Sequence, residues 1–235
     1  MDGAAEYRVR VAEVVRRSPR AVSVRFDRPP EFSYLAGQFM FITINRGPES
    51  LTRHLTISSS PTEPVLEVTK GLTGHAFADA LSALAPGNEV TIRGPYGTFT
   101  LDAGDEDVVF ISGGIGVTPL RSMARYVADT HLLIRVTLLY SARTEEDILF
   151  GPEFEELQRT NSLFSVHIAL TQPGPAWTGH VGRIDRAFIQ QQVSDVRGRG
   201  FYVSGPSVMV DAMIAILTEM GVPGDRVRHE YFPGY

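Results

Sequence analysis

The sequence contains no cysteine, and only one of its 235 residues is lysine. The absence of thiols excludes disulfides, thiolate metal sites, a cysteine nucleophile and a cysteine-ligated iron–sulfur cluster from this chain. No stretch approaches the roughly 20 apolar residues that a membrane-spanning helix needs. Residues 1–10 lack the basic start and apolar run of a secretory signal. These absences predict a cytoplasmic protein without a transmembrane segment.

Runs of basic residues are also missing. The formal net charge is −5, from 22 basic and 27 acidic residues. A net-acidic chain without basic runs argues against nucleic acid as a partner. The six histidines are scattered without metal-ligand spacing, so no metal site is predicted. The single lysine, Lys70, reflects either a general bias towards arginine or a position that needs a compact ammonium group.

Residues 1–103 have the pattern of a β-rich domain. Apolar and polar residues alternate over 7–15 and 21–26, which is typical of half-buried strands. Turn signals separate these segments from four further short candidates at 39–44, 54–58, 65–69 and 89–93. Six short strands predict a six-stranded antiparallel barrel. One helix is predicted within it, over 74–84, with Thr73 as its N-cap.

From Asp107 the pattern changes to alternating strands and helices. The predicted strands are 108–111, 135–140, 165–170 and 200–203, and the predicted helices are 119–130, 152–160, 186–193 and 207–220. Such alternation implies right-handed crossovers and a Rossmann-like parallel α/β sheet. The segment 102–106 reads as a linker, so the sequence predicts a barrel domain over 1–103 and an α/β domain over 104–235.

A glycine-rich turn follows the apolar run 108–111. Gly113, Gly114 and Gly116 have no Cβ to block a phosphate group. The helix expected behind Pro119 offers unpaired N–H groups and the positive end of its dipole. Proline suits a first helical position, because its missing N–H has no partner there. The turn therefore indicates a nucleotide site, although a tight strand-to-helix turn without a ligand has the same residue pattern.

Four other segments carry candidate binding residues. Arg53 can bind a diphosphate bidentately, and Thr56 can hydrogen-bond a ring or a ribityl chain. The segment 70–74, Lys-Gly-Leu-Thr-Gly, opens a helix and provides a second anion site. Residues 93–99 form a fixed turn, and 202–209 lead a strand into a Gly-Pro turn and a helix. Each segment alone also fits a structural role, as an exposed arginine, a helix cap, a barrel loop or a plain turn, and for Arg53 alone the structural role is favoured.

In their order along the chain, the five segments resemble the ferredoxin–NADP reductase family, which includes flavodoxin reductases and the reductase components of aromatic-ring dioxygenases and hydroxylases. The resemblance covers residues 7–232. It implies a flavin-binding barrel followed by a nicotinamide-nucleotide domain in a flavoprotein reductase. This enzyme would pass a hydride from NADH or NADPH to FAD and then pass electrons to a separate acceptor. FAD is favoured over FMN because two anion-binding segments suit a diphosphate.

The resemblance also assigns cofactor-binding residues. Arg53 would pair with the flavin diphosphate and Thr56 would bond near the ring, while Leu55 stands where the family usually has tyrosine. The expected set is Arg53, His54, Leu55, Thr56, Val68, Lys70, Gly71, Leu72, Thr73, Gly113, Gly114, Gly116, Val117, Thr118, Pro119, Arg143, Gly205, Pro206, Met209 and Phe232.

Three residues are assigned to the chemistry by the same resemblance. Ser204 replaces the cysteine that usually lies near the nicotinamide, and Thr118 is expected beside the hydride path. Glu230 lies in a C-terminal Glu-Tyr-Phe and would sit near the flavin. Phe232 or Tyr235 would cover one face of the flavin ring.

The coenzyme, the acceptor and the activity itself leave alternatives. Arg143 is a candidate ligand for a 2′-phosphate, whereas the acidic run 145–147 favours NADH. The acceptor is expected to be a ferredoxin, an oxygenase or hydrogenase component, or a small molecule such as a free flavin or a ferric complex. Leu55 and Ser204 motivate a second hypothesis, a flavin-binding electron-transfer or regulatory subunit with little turnover of its own. A third hypothesis is a nucleotide-binding module without flavin.

Overall fold

The first half of the chain forms strands in which buried and exposed side chains alternate. The computed structural model describes residues 5–232. Six strands form one antiparallel sheet in the order β4-β3-β6-β1-β2-β5. They are β1 (Glu6–Ser18), β2 (Ala21–Asp27), β3 (Phe39–Arg46), β4 (Glu49–Thr56), β5 (Val65–Gly71) and β6 (Glu89–Tyr96).

The barrel core lies between the inner faces of these strands. Val24, Phe26 and Ile42 are completely buried in it. An antiparallel bridge between Ile57 and Val68 joins the chain after β4 to β5, so the two edges of the sheet meet there. The antiparallel six-stranded barrel predicted from the sequence is therefore confirmed.

The helix inside the barrel half, α1 (Ala76–Ser82), is shorter than predicted. Gly74 adopts a positive φ of 71° and His75 is extended, so the chain enters the helix only at Ala76. His75 is the N-cap residue, and its side chain makes no capping hydrogen bond. The prediction that Thr73 caps this helix is therefore wrong.

The second half forms a parallel sheet in the order β10-β9-β8-β7-β11-β12. Strands β7 and β11, which both lie inside the sheet rather than at an edge, are almost wholly buried, as expected for a parallel sheet covered on both faces. The strands are β7 (Asp107–Gly113), β8 (Arg135–Ala142), β9 (Phe164–Leu170), β10 (His180–Val181), β11 (Gly200–Gly205) and β12 (Val227–Tyr231). The helices are α2 (Val117–Asp129), α3 (Gly151–Thr160), α4 (Arg186–Gln192) and α5 (Ser207–Glu219).

The predicted Rossmann-like α/β fold is confirmed, with differences in detail. A short 3-10 turn, Gly114–Gly116, precedes α2, so this helix begins at Val117 and Pro119 is its third residue rather than its first. Proline is still accommodated there, because N–H groups in the first helical turn have no intrahelical partner. The edge strands β10 and β12 were not predicted.

The predicted linker 102–106 lies between β6 and β7. The division into domains at residues 103 and 104 stays a prediction. None of the helices in residues 5–232 is long and apolar enough to cross a membrane.

Candidate functional site

Two cavities lie where the barrel meets the parallel sheet. The first has a volume of about 760 Å³, a typical size for a small-molecule site. Its barrel side is lined by Phe39, Phe41, Leu51, Arg53, His54, Leu55, Thr56, Thr69, Lys70, Thr73, His75, Ala76, Phe77 and Ala78. Its other side is lined by Thr118, Glu230, Tyr231 and Phe232.

Two cations face the first cavity. Arg53 on β4 is exposed, and its Nη1 donates a hydrogen bond to the Thr52 carbonyl oxygen at 2.7 Å. Lys70 on β5 is half-buried, and burial together with the charge of Arg53 lowers its pKa. An anion between the two groups would relieve this repulsion. A diphosphate therefore matches the charge of this wall.

Two polar atoms of the same cavity lack partners. Within residues 5–232, Thr73 Oγ1 and Glu230 Oε2 are buried without a hydrogen bond. Such groups cost free energy when unpaired, so they mark places where a bound ligand supplies the missing bond. Thr73 lies on the barrel side with the two cations and Glu230 lies on the opposite side, so the residues present fit a flavin dinucleotide.

Glu230 is the acidic group of this cavity. It lies on edge strand β12, where its register partner on β11 is Ser204. Burial raises the pKa of the Glu230 carboxyl to about 7. Near neutral pH, this side chain can therefore be either a hydrogen-bond donor or a carboxylate.

Replacing Glu230 with glutamine is expected to change how stability depends on pH. Because the pKa of Glu230 is raised from 4.5 to about 7, the folded state binds the proton more tightly than the unfolded state. The resulting stabilisation is complete below the unfolded value and is lost as the pH rises through about 7. The melting temperature of the native protein, measured against that of Glu230→Gln, should fall across this window. If the melting temperatures of the two proteins changed with pH in the same way, the burial of this carboxyl would be contradicted.

The second cavity has a volume of about 700 Å³. Residues of α5, of the parallel sheet and of the barrel line it. The barrel contributes Ser18, Arg20, Ala21 and Gly71. The second half contributes Gly113, Gly114, Ile115, Ser141, Ala142, Arg143, Asp147, Leu149, Thr171, Arg183, Ile184, Asp185, Pro206, Val208, Met209, Ala212, Met213 and Ile216. In a parallel sheet, ligands bind beyond the carboxyl ends of the strands, and β7, β8 and β11 all end at this cavity.

Arginines dominate the charge of the second cavity. Arg20, Arg143 and Arg183 line it together with Asp147 and Asp185. Arg20 Nη1 lies 3.7 Å from Asp147 Oδ2, so the two halves of the chain pair across the cavity. Asp185 Oδ1 accepts a hydrogen bond from the Phe188 amide and caps α4. The net charge of this lining is positive, which fits a phosphorylated nucleotide.

The glycine turn reaches both cavities. Gly113 and Gly114 line the second cavity, and Thr118 lines the first. Gly114 has a φ of +56° and open space where a Cβ would stand, so it permits the close approach that the sequence predicts. Thr118 is buried, and its Oγ1 donates to the Ile115 carbonyl oxygen at 3.1 Å. One turn thus borders the two places where nucleotides fit.

The other two glycines of the turn, Gly113 and Gly116, lie against neighbouring protein atoms. A Cβ on Gly113 would lie 2.5 Å from Met209 Sδ. A Cβ on Gly116 would lie 2.5 Å from both the Gly205 Cα and the Ser204 carbonyl oxygen. At both positions neighbouring protein atoms occupy the space that a Cβ would need, and the predicted role of the two glycines in admitting a phosphate stays a prediction.

Several predicted site residues face the protein interior. Ser204 is fully buried, and its Oγ donates to the Gly116 carbonyl oxygen at 2.5 Å, so the hydroxyl holds the turn rather than facing either cavity. Val68 packs in the barrel core, and Val117 and Pro119 are buried in α2. The side chains of these four residues line neither cavity, and their predicted roles at the cofactors stay predictions.

The remaining predicted residues are divided between the two cavities. Arg53, His54, Leu55, Thr56, Lys70, Thr73, Thr118, Glu230 and Phe232 line the first, whereas Gly71, Gly113, Gly114, Arg143, Pro206 and Met209 line the second. Gly71 was expected with the flavin segment. Gly205 and Leu72 line neither cavity, and both make backbone hydrogen bonds within the protein. The Gly205 carbonyl oxygen accepts from the Phe232 amide at 2.9 Å, and the Leu72 amide donates to the Arg20 carbonyl oxygen at 2.7 Å. Tyr235, the other candidate ring cover, lies outside the described residues.

Some lining residues were missed in the sequence. Phe39 and Phe41 stand on the outer face of β3, where Phe39 contacts His54 with ring centroids 5.4 Å apart. The run Phe-Met-Phe-Ile at 39–42 is apolar on both faces, a signal that the outer face is also covered. Arg20 and Arg183 gave no signal, because each lies far in sequence from the turn it faces.

Two family models match the chain. The oxidoreductase FAD-binding domain matches residues 6–101, and the oxidoreductase NAD-binding domain matches residues 110–214. The glycine betaine monooxygenase reductase subunit of Pseudomonas aeruginosa is 31% identical over 232 residues, which is 95% of this chain and 63% of that protein. One subunit of the Na(+)-translocating NADH-quinone reductase of Klebsiella pneumoniae is 35% identical over 158 residues, 65% of this chain and 39% of that protein. The chain thus spans less than two thirds of either relative.

Solved structures share the fold. The flavohem-like FAD/NAD binding domain of nitric oxide dioxygenase from Vibrio cholerae has a TM-score of 0.87 at 20% identity, and the match covers 99% of each chain. A ferredoxin NADP+ reductase from Neisseria gonorrhoeae, with bound FAD and NADP, has a TM-score of 0.85 at 17% identity, over 97% of this chain and 99% of that one. At these identities the likeness concerns the fold.

Proposed function

Because this chain belongs to the ferredoxin–NADP reductase-like family, with an FAD-binding and an NAD-binding domain, we propose that it transfers a hydride from NADH or NADPH to FAD and passes electrons to a separate acceptor. The observation that carries this proposal is the turn from Gly113 to Thr118, which borders both cavities. A nucleotide in each cavity would meet at this turn. Hydride transfer needs such an arrangement, because it requires the two reacting rings in contact.

The residues of the first cavity would hold the flavin. Arg53 and Lys70 supply positive charge for the diphosphate, and Thr73 Oγ1 supplies a free hydroxyl. Thr56 and Glu230 line the same cavity and offer further hydrogen bonds. When bound, the flavin supplies the redox chemistry, since it accepts a hydride and releases electrons one at a time. The protein binds and orients both nucleotides and limits the access of water.

The second cavity would hold the nicotinamide nucleotide. Gly114 permits close approach of a phosphate, and the 13-residue helix α2 behind it offers the positive end of its dipole. Arg143 is exposed, and its Nε donates to Gln172 Oε1 at 2.7 Å, while Asp147 lines the same wall. A carboxylate in this place suits a ribose hydroxyl better than a 2′-phosphate. We therefore infer that NADH is preferred over NADPH.

The acceptor is proposed from the relatives. The Pseudomonas protein is the reductase subunit of a monooxygenase, and the Klebsiella protein is part of a quinone reductase. A separate oxygenase component is the acceptor class that we favour, since the chain itself has no cysteine to hold an iron–sulfur cluster. A ferredoxin, a hydrogenase component or a small molecule are the other candidates.

The visible spectrum of the purified protein tests this proposal. We expect a yellow protein whose flavin absorbance bleaches when NADH is added without oxygen. A yellow protein that dithionite bleaches but NADH and NADPH do not would instead be the flavin-binding subunit with little turnover, which the buried Ser204 hydroxyl and Leu55 suggest. A colourless protein that does not take up added FAD or FMN would overturn the proposal.

Replacing Arg20 with alanine is expected to weaken nucleotide binding about tenfold, because a charge-assisted hydrogen bond contributes about 1.5 kcal/mol or more. Arg20 is the cation that the barrel extends into the second cavity. Titration with NAD+ and ADP-ribose would measure the effect, while the flavin content should not change. Arg16→Ala is the matched control, since Arg16 is exposed on the same hairpin and binds the Pro19 carbonyl oxygen. Equal affinities in the two variants would place the nucleotide elsewhere.

A further inference from the structure

Buried charged side chains join the barrel to helix α2. Arg121 on α2 is only 4% exposed, and all five of its N–H donors are used. Its Nη1 donates to the Ser58 carbonyl oxygen at 3.0 Å. Both Nη atoms donate to the carboxylate of Glu63, and both Nε and Nη2 donate to Glu153 Oε2. The barrel and α3 thus hold one guanidinium from two sides.

A second arginine completes this cluster from the barrel. Arg17 on β1 donates to Glu153 Oε1 at 3.0 Å and to both oxygens of Glu67 at 2.9 Å. The Arg17 and Arg121 guanidinium groups lie 4.6 and 5.5 Å from the centre of the Phe150 ring. Phe150 has a φ of 59°, a costly conformation for an aromatic residue, which persists only where the surroundings impose it. Arg17, Glu63, Glu67, Arg121 and Glu153, named here the Arg121 joint, therefore connect the barrel to α2 and α3.

The partners in the Arg121 joint lie close in sequence to residues of the first cavity, both in the barrel and in α2. Ser58 and Ser59 lie two and three positions after Thr56, the cavity residue at the end of β4. Arg121 and Ser122 lie one helical turn after Thr118, the cavity residue of the glycine turn. Ser122 Oγ donates to the Ser59 carbonyl oxygen at 2.6 Å, next to the bond from Arg121 to Ser58. The two bonds join side chains of α2, one turn after Thr118, to backbone carbonyl oxygens of the segment that follows Thr56.

We propose that Arg121 is a positioning residue that fixes the separation between the flavin-bearing end of β4 and the nicotinamide-bearing turn. The inference rests on the proposed hydride transfer. Hydride transfer depends steeply on distance and alignment, and a misplacement of about 1 Å costs on the order of 100-fold in rate. Only a planar fork with five donors can satisfy Ser58, Glu63 and Glu153 together. Lysine keeps the charge of the residue but loses this geometry.

The variant Arg121→Lys tests the proposal. We expect the flavin affinity and the NAD+ affinity to change by less than about threefold, because neither cavity loses a lining residue. The rate of flavin reduction by NADH should fall by about 10- to 100-fold, and its isotope effect with 4-deuterated NADH should rise. In the flavin-free protein, the amides of Ser58 and Ser59 should exchange hydrogen faster. Arg125→Lys is the control, since Arg125 lies on the same helix and pairs with Asp129 near the surface.

A second variant covers the case in which Arg121→Lys does not fold. Ser122→Ala removes the neighbouring bond without a buried charge, and we expect a smaller fall in the reduction rate, about threefold, with the same rise in the isotope effect. Reduction rates and isotope effects that stay at the native values in the variants that fold would overturn the positioning role. A parallel loss of flavin and NAD+ affinity would also overturn it, because that result indicates general unfolding. If the native protein itself is not reduced by NADH, the proposed function fails instead.

Discussion

Arg53→Ala is expected to purify largely without flavin. Arg53 is one of two cations on the wall of the first cavity, where burial and the charge of Arg53 both lower the pKa of Lys70. Losing two charge-assisted hydrogen bonds to a diphosphate costs about 3 kcal/mol, which corresponds to an affinity about 100-fold lower. Fluorescence titration of the flavin-free protein with FAD would measure the loss.

The comparison with FMN sharpens this test. FMN carries one phosphate, so the penalty of Arg53→Ala should be larger for FAD if Arg53 contacts the diphosphate. Arg8→Ala removes the same charge from an exposed position on β1 and should retain its flavin. An Arg53→Ala protein with full flavin occupancy would show that the diphosphate lies elsewhere.

Gly116→Ala is expected to destabilise the fold severely. The new Cβ would lie 2.5 Å from the Gly205 Cα and the Ser204 carbonyl oxygen, and 2.7 Å from the Gly205 amide nitrogen. These are backbone atoms of the interior strand β11, and unlike side-chain atoms they cannot rotate away. The free energy of unfolding should fall by about 3 kcal/mol or more. Urea denaturation of the variant would measure this change.

Two other glycines provide controls for this substitution. Gly114→Ala meets open space but keeps a φ of +56°, so it should cost only about 1–2 kcal/mol. Gly104→Ala meets open space in an exposed turn and should be neutral within about 0.5 kcal/mol. If Gly116→Ala were as stable as Gly104→Ala, tight packing between the turn and β11 would be excluded.

Local patterns in the sequence were enough for the fold. Alternating residues predicted the first two barrel strands and turn signals delimited the other four, although β4 begins five residues before the predicted 54–58; the run 108–111 marked the centre of the parallel sheet. Strand β12 was missed because Arg228, His229 and Glu230 make its middle polar, as an edge strand allows. Thr73 was predicted to cap α1 because threonine is a common N-cap residue. The positive φ of Gly74, after which the helix begins only at Ala76, could not be inferred from the local sequence.

The site was only partly predictable, because some roles depend on partners distant in sequence. The need for glycine at 116 arises from Gly205, which arrives 89 positions later and brings its backbone into contact. In the sequence, Arg121 has the pattern of a surface residue on a helix. In the fold it is surrounded by Ser58, Glu63 and Glu153. Resemblance to a family does not reveal such contacts, since they belong to the packing of this chain.

The Arg121 joint has a consequence for protein engineering. A chimaera that replaces the second half of this chain by that of another reductase exchanges Arg121 and Glu153 but retains Ser58 and Glu63. The graft would leave Arg17 and Glu63 facing a foreign surface. Recombination at the linker is therefore expected to produce folded halves that are poorly coupled, unless the segment 58–63 and Arg17 are transplanted with their partners.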